Sequence, residues 1–229
     1  MLKKSSRIPA RSTLKATRDD WLKAALATLI SNGVDAVLVL PLAKKLKVSR
    51  SSFYWYFKNR KDLLDQLLQH WMSTNTAAII EHAGRPSATA VQGVLHIFEC
   101  WVSETTYSPR LDIAVRNWAT KSNGVRALVE KADDARLVAI KQMYQRHGFD
   151  DEDAFIRARI LYYVQVGYYA LELKETMEAR LSHVEAYLRA FTGQEPTKAD
   201  VTRFRDFVRT SQASRVRRRR SRGRRAKSV

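Results

Sequence analysis

The apolar positions of this chain recur at helical spacing, and no stretch alternates with the two-residue period of a strand. Trp21, Leu22, Ala25, Leu26 and Leu29 fall on one face and predict a helix from about Thr17 to Ser31, ended by Asn32-Gly33. Leu42, Ala43 and Leu46 predict a second, short helix over Leu40 to Leu46. A third pattern begins after Val48-Ser49, with Ser49 placed to cap it and Phe53 and Phe57, four apart, facing inward. From Arg60 to about His82 the stripe Leu63, Leu64, Leu67, Leu68, Trp71, Met72 predicts one long helix. Gly84-Arg85-Pro86 breaks it, with Ser87 a candidate cap for the next helix.

The remainder reads as helix throughout. The predicted spans are about Ser87 to Thr105, Pro109 to Ala119 behind Ser108, and Val125 to His147 stopped by Gly148. Then come Asp150 to about Lys174, Glu178 to Phe191 stopped by Gly193, and a short helix to about Thr210 after Pro196-Thr197 and Asp200. No internal repeat is present. Ile160 to Leu171 is apolar nearly all round, so it needs cover on every side, from the core alone or from the core and a second copy.

Two short helices with a tight break between them form a helix-turn-helix pattern. The outward face of the second carries Arg50, Ser51, Ser52, Tyr54 and Tyr56, side chains able to reach phosphates and base edges in a major groove. Between Asp35 and Asp62 there is no carboxylate, while Lys44, Lys45, Lys47, Arg50, Lys58, Arg60 and Lys61 all lie there. Charge alone fits a helical hairpin with a solvated basic face equally well. The spacing of the aromatics decides between them.

Ala43, then Val48-Ser49-Arg50-Ser51-Ser52-Phe53-Tyr54-Trp55-Tyr56-Phe57-Lys58, continuing to Leu64, resembles the signature of the tetracycline-repressor (TetR) family of transcriptional regulators, over about Arg18 to Leu68. The resemblance implies an all-α fold: an N-terminal three-helix helix-turn-helix head that binds DNA, then a helical ligand-binding and dimerising body. It implies a homodimer on double-stranded DNA at a palindromic operator, released by a small-molecule effector. Ser49, Arg50, Ser51, Ser52 and Tyr54 would then read or position the groove, and Tyr56, Lys58 and Lys61 would hold phosphates. Two positions depart from the family pattern. Lys47 stands where the family has a turn glycine, and Val37 and Leu38 stand where it has a capping threonine or serine.

The same resemblance places an effector pocket in the body. Its candidate walls are Phe98, Trp101, Tyr107, Trp118, Tyr144, Tyr162 and Tyr163, aromatics that serve a mostly apolar site or ordinary core packing. Glu99, Glu104 and Arg116 are candidate charges to orient a ligand. The dimer contact is expected on Tyr162, Val166, Gly167, Tyr169, Ala170 and Tyr187, where Gly167 lets another backbone approach.

Charge adds two tails to this picture. Of a net +18 over 229 residues, residues 1 to 18 contribute six basic side chains and residues 209 to 229 ten, neither with an acid, which leaves +2 for residues 19 to 208. Like-charge runs of this kind repel themselves and are expected to be disordered until a polyanion neutralises them. The expected organisation is a flexible basic arm (1–13), the head (14–70), the body (71–210) and a disordered Arg-rich tail (211–229). An architectural nucleic-acid-binding protein driven by such tails, without a ligand switch, is the rival reading.

Other classes find little support. The histidines (His70, His82, His96, His147, His183) form no i, i+4 pair with one another, and the single Cys100, four on from His96, falls short of a ligand set, so no metal site is expected. No cofactor motif, phosphate loop or nucleophile elbow points to an enzyme. No apolar run is long enough to span a membrane, and the single Cys100 fits a reducing cytoplasm.

Overall fold

The computed structural model describes residues 16–103 and 106–227, from 215 onward as backbone alone. The expected basic arm (1–13) and Glu104 lie outside the described residues. Every regular element described is helical. The chain divides into two compact units, one up to Leu68 and one from Gln69.

In the first unit α1 (Arg18–Asn32) starts at Thr17, whose side chain accepts from the Asp20 N–H at 3.2 Å. Asp20 returns the bond to the Thr17 N–H at 2.9 Å, a reciprocal capping box. Gly33 ends the helix at φ 77°, ψ 175°, a conformation open in practice to glycine alone. A 3-10 turn, Val34–Ala36, leads to α2 (Val39–Leu46). Leu38 precedes α2 with no side-chain cap, as expected of a leucine in that place. After α2 come a 3-10 helix, Arg50–Trp55, and α3 (Arg60–Trp71).

Apolar burial and one ionic clamp hold these elements together. Trp21 of α1 meets Phe53 edge-on at 5.2 Å, and Phe53 stacks on Phe57 at 5.1 Å, all three buried. Arg60 turns inward from the basic run. Its Nε donates to the Val37 carbonyl at 2.6 Å and its Nη2 to Val34 at 2.8 Å, satisfying carbonyls at the 3-10 turn. Lys47 takes the left-handed conformation between α2 and the 3-10 helix, at φ 57°, ψ 41°. A side chain with a Cβ costs about 1 kcal/mol there relative to glycine. Lys47→Gly should therefore stabilise the head by about that amount, read as a later unfolding midpoint in urea. An unchanged or earlier midpoint would mean the turn is not strained.

The second unit is a stack of helices: α4 (Ala77–Gly84), α5 (Ala90–Val102), α6 (Pro109–Ala119), α7 (Asn123–Gln145) and α8 (Asp151–Ala170), then α9 (Met177–Ser182), α10 (Val184–Thr192) and α11 (Lys198–Lys227). α7 packs on α4, α5, α6 and α8. Caps lie at Thr89, Ser108, Ser122 and Asp150, each side chain accepting from an N–H three residues on. Ser87 caps nothing and bonds to His147 Nε2 at 2.9 Å instead.

Three expectations are corrected. The long helix to His82 is interrupted by a π turn, Met72–Thr76, which brings the polar Asn75 and Thr76 into the interior. Asn75 bridges to the Ser108 backbone at 2.8 and 3.2 Å, and Thr76 accepts from Arg136, so the buried polar groups are satisfied. The helix expected over Glu178 to Phe191 is two, with His183 between them at φ −98°, ψ 0°. The last helix does not end near Thr210; its backbone runs on to Lys227. Arginine is a strong helix former and no proline follows Pro196, so Gly223 is the one poor helix former among the arginines.

Candidate nucleic-acid interface and body cleft

The outward side of the Arg50–Trp55 helix presents Arg50, Ser51, Tyr54 and Trp55. Arg50 Nη2 donates to the Tyr54 phenol at 3.2 Å, one turn along, so guanidinium and phenol stand together. On the segments before and after this helix Lys44, Lys45, Lys47, Lys58 and Lys61 are exposed. Lys61 pairs with Asp65 at 2.7 Å with both side chains in solvent, a pair worth little and readily exchanged for a phosphate. Asp62 sits nearby but points back at its own helix start, accepting from the Lys58 N–H at 2.8 Å and from Gln66 at 2.8 Å. The Lys58 N–H bond leads in holding its carboxyl below the usual carboxylate range.

Three residues assigned to this face from sequence are placed differently. Ser52 is buried, its hydroxyl donating to the Ser49 carbonyl at 2.8 Å beside its own N–H at 3.2 Å. The i→i+3 pitch of a 3-10 helix brings both donors over that carbonyl, so Ser52 leaves the outward set. Ser49 makes no side-chain cap; its hydroxyl is 2.9 Å from that of Ser51. Tyr56 is half-buried. Sequence reasoning overlooked Trp55, which is 62% exposed between the two inward phenylalanines. Its signal was an indole in a helical pattern at a position that neither i nor i+4 burial accounts for.

The body holds an open-mouthed cleft of about 680 Å³, counting the space at its mouth. Phe98, Trp101, Tyr168, Tyr187, Phe191 and Phe204 form its aromatic wall, with Gln165, Glu175 and Arg180 as its polar groups. Of the aromatics expected to line a pocket, Phe98 and Trp101 do so. Tyr107, Trp118, Tyr144 and Tyr162 are buried away from it, and Tyr163 is exposed on α8. Tyr107 stacks on Tyr169, and the Tyr144 hydroxyl donates to the Phe191 carbonyl at 3.2 Å. Of the candidate charges, Glu99 pairs with Arg85 at 3.3 Å and Arg116 belongs to a network elsewhere in the body.

That network is the most buried polar feature described. Arg136 is fully buried, donating to Thr76 and Tyr162 at 2.8 Å each and to Asp112 at 3.0 Å. Its guanidinium lies over the Trp71 ring at 4.9 Å, while the Trp71 indole donates to Asp112 at 2.8 Å. Arg116 bonds Asp112 at 3.0 Å and grips Asp133 through two bonds of 2.7 and 2.8 Å. Burial raises the Asp112 carboxyl, but Arg136 and Arg116 outweigh it and hold the group below the ordinary value. Cys100 is inert by contrast, its thiol pushed up to about 12 by burial.

The dimer residues expected from sequence divide in two. Tyr162 faces the network, and Val166 and Tyr169 pack against the core, the Tyr169 hydroxyl donating to the Trp101 carbonyl at 3.1 Å. Gly167 is half-buried, while Ala170 and Tyr187 are exposed. The open apolar face of α8 is formed instead by Phe155, Ile156, Ile160, Tyr163 and Val164, each 43–48% exposed. A helix without a polar side offers two apolar faces, and spacing alone does not say which one the core takes. Among the described residues no cluster of three or more histidine, cysteine or acidic side chains could hold a metal, and no helix is long and apolar enough to cross a membrane.

Residues 22–67 match the family model described as bacterial regulatory proteins, tetR family. The tetracycline repressor protein class A from transposon 1721 of Escherichia coli is 37% identical over 54 residues, 24% of this chain and 25% of that one. The class D repressor of Escherichia coli is 36% identical over 53 residues, 23% of this chain and 24% of that one. The chain thus spans about a quarter of the length of the curated relatives it matches. The fold likeness is broader. A transcriptional regulator from Rhodococcus superposes over 78% of this chain and 95% of that one, with TM-score 0.56 and 15% identity. FadR of Bacillus subtilis, solved with stearoyl-CoA, covers 77% of this chain and 98% of its own at TM-score 0.56 and 17% identity. AmtR of Mycobacterium smegmatis covers 90% and 97% at TM-score 0.54 and 15% identity. The head thus carries the signature of the tetR family of bacterial regulatory proteins over residues 22–67, and the likeness of fold extends through the body.

Proposed function

We propose that this chain is a DNA-binding transcriptional repressor that acts as a homodimer on a palindromic operator and is released by a small molecule held in the body cleft. The observation that carries the reading is the exposed Arg50–Tyr54 pair on a short helix flanked in sequence by five exposed lysines. Arg50 is the base reader, since a guanidinium makes bidentate contacts to guanine in a major groove. Tyr54, Ser51 and Trp55 make the surrounding groove contacts. Ser49, Tyr56, Lys58 and Lys61 hold phosphates, and Ser52 acts only by shaping the turn. The apolar face of α8 at Ile156, Ile160, Tyr163 and Val164 pairs two copies, so that two heads meet two half-sites. FadR, which shares the fold and was solved with stearoyl-CoA, supports a ligand in the body. A regulator of this kind works in the cytoplasm.

Selection from random duplexes supplies the operator. On that operator Arg50→Ala should weaken binding by roughly 1–3 kcal/mol and relax the preference at one base position of each half-site. Equal affinity and an unchanged preference in a gel-shift titration would remove Arg50 from the readers.

A further inference from the structure

Most of the cleft wall is apolar and flat-sided. Phe98 lies 6.0 Å from Trp101, 6.1 Å from Phe191 and 6.0 Å from Phe204, and Tyr187 stacks on Phe191 at 5.8 Å. Its polar groups are unbalanced in one direction. Trp101 Nε1 and Gln165 Nε2 are buried N–H donors with no hydrogen-bond partner among the described residues. Trp101 is only 4% exposed, so water does not serve its indole freely. A buried donor left unpaired costs about 1–3 kcal/mol, and both side chains line the cleft, so an acceptor there gains from each donor it reaches.

Charge points the same way. Arg180 lies over the Tyr168 ring at 4.4 Å and bonds the Tyr169 hydroxyl, a neutral partner that leaves its charge without an ion pair among the described residues. Glu175, the acid of the cleft, accepts from the Tyr168 phenol at 2.7 Å and is thereby turned to a donor of the protein itself. The surplus is therefore of donors and of one guanidinium, in a wall of rings.

We infer that the cleft takes a flat, apolar aromatic molecule bearing an acceptor-only oxygen head, best a carboxylate, with Trp101 and Gln165 donating to the head and Arg180 meeting its charge. The inference rests on the reading of the cleft as the effector site. A two-ring acid suits the wall, since its flat faces can lie against the rings that line the cleft. The same geometry rejects an amine, which would bring further donors to unpaired donors and a cation to Arg180.

The test is calorimetric titration of the full chain with three probes of one shape: 2-naphthoate, methyl 2-naphthoate and 2-naphthylmethylamine. Expected is the order acid, then ester about tenfold weaker, with no heat from the amine. Gln165→Leu should weaken acid and ester together, the acid by on the order of tenfold. Arg180→Gln should erase the margin of acid over ester while leaving the ester unchanged. Leu181→Trp, which fills the half-open wall, should abolish binding of both. An amine that binds as tightly as the acid, and is likewise blocked by Leu181→Trp, overturns the ligand class and leaves the cleft reading standing. Acid binding that Leu181→Trp does not reduce overturns the cleft reading itself. No binding by any probe overturns the inferred class.

Discussion

Replacing Arg136 with methionine should destabilise the body by about 3–5 kcal/mol, the usual result of removing one partner from a buried ionic pair. The side chain is fully buried, and its guanidinium serves Thr76, Asp112 and Tyr162 while covering Trp71. With Arg116, Asp112 and Asp133 the network sums to zero charge. Arg136→Met leaves one excess negative charge inside, and the Thr76 and Tyr162 oxygens each lose a donor. The loss should appear as an earlier urea midpoint of the body transition. Adding Asp112→Asn restores charge balance and should recover part of the deficit. No recovery would mean that packing on Trp71, not charge, is what Arg136 supplies.

The same substitution has a pH signature whose sign can be fixed. In the parent protein the Asp112 carboxyl lies below its ordinary value, so its stabilisation is present above pH of about 4 and is lost only as pH falls through the depressed folded value. Without Arg136 the largest favourable influence is gone and burial prevails, which raises the folded value above the unfolded one. The folded variant then binds the extra proton, and its stability falls as pH rises above about 4. The deficit of Arg136→Met relative to the parent should thus narrow on going from pH 7 to pH 5. A deficit that is constant with pH would show that Asp112 stays ionised through its bonds to Arg116 and Trp71.

None of this network was legible in the sequence, for a physical reason. Capping and i, i+4 periodicity are local, so Thr17 with Asp20, Ser108-Pro109, Asp150 and Gly193 mark helix ends without knowledge of the rest of the chain. The head followed from the same local signals, together with Phe53 and Phe57. Arg136 instead looks like one more charge on a helix, because its partners come from α3, the π turn, α6 and α8, far apart in sequence. The π turn was hidden too, since Asn75 and Thr76 turn inward only because Ser108 and Arg136 are there to meet them. Ser52 was misplaced by the difference between 3.0 and 3.6 residues per turn. The pocket residues suffered a different limit. An aromatic fills a core or lines a cleft by the same burial, so Phe98 and Tyr144 read alike until the packing is known.

Deletion of residues 211–229 should flatten the salt dependence of DNA binding while leaving operator preference intact. The removed segment holds nine basic residues and no acid, all within Arg215 to Lys227. The backbone there is helical, so at about 1.5 Å per residue these charges occupy roughly 20 Å, one per ~2 Å. Duplex DNA carries one negative charge per ~1.7 Å of axis, a density close enough for the two to neutralise each other along their length. Cations near a helix C-terminus also suit its dipole, which supports helix in a run that otherwise repels itself. Each phosphate the protein no longer neutralises lowers the slope of log affinity against log salt by about 0.9, so removing nine cations takes away roughly eight units if all engage. The full chain should then lose on the order of 10³–10⁵ in affinity between 50 and 200 mM salt, and the truncated chain far less. Phosphate contacts position a protein and carry no sequence information, so the ratio of operator to random-duplex affinity should stay unchanged. A ratio that collapses with the tail would place recognition in the arginine run and make the protein an architectural binder. A slope that does not move would show that the tail faces something other than DNA.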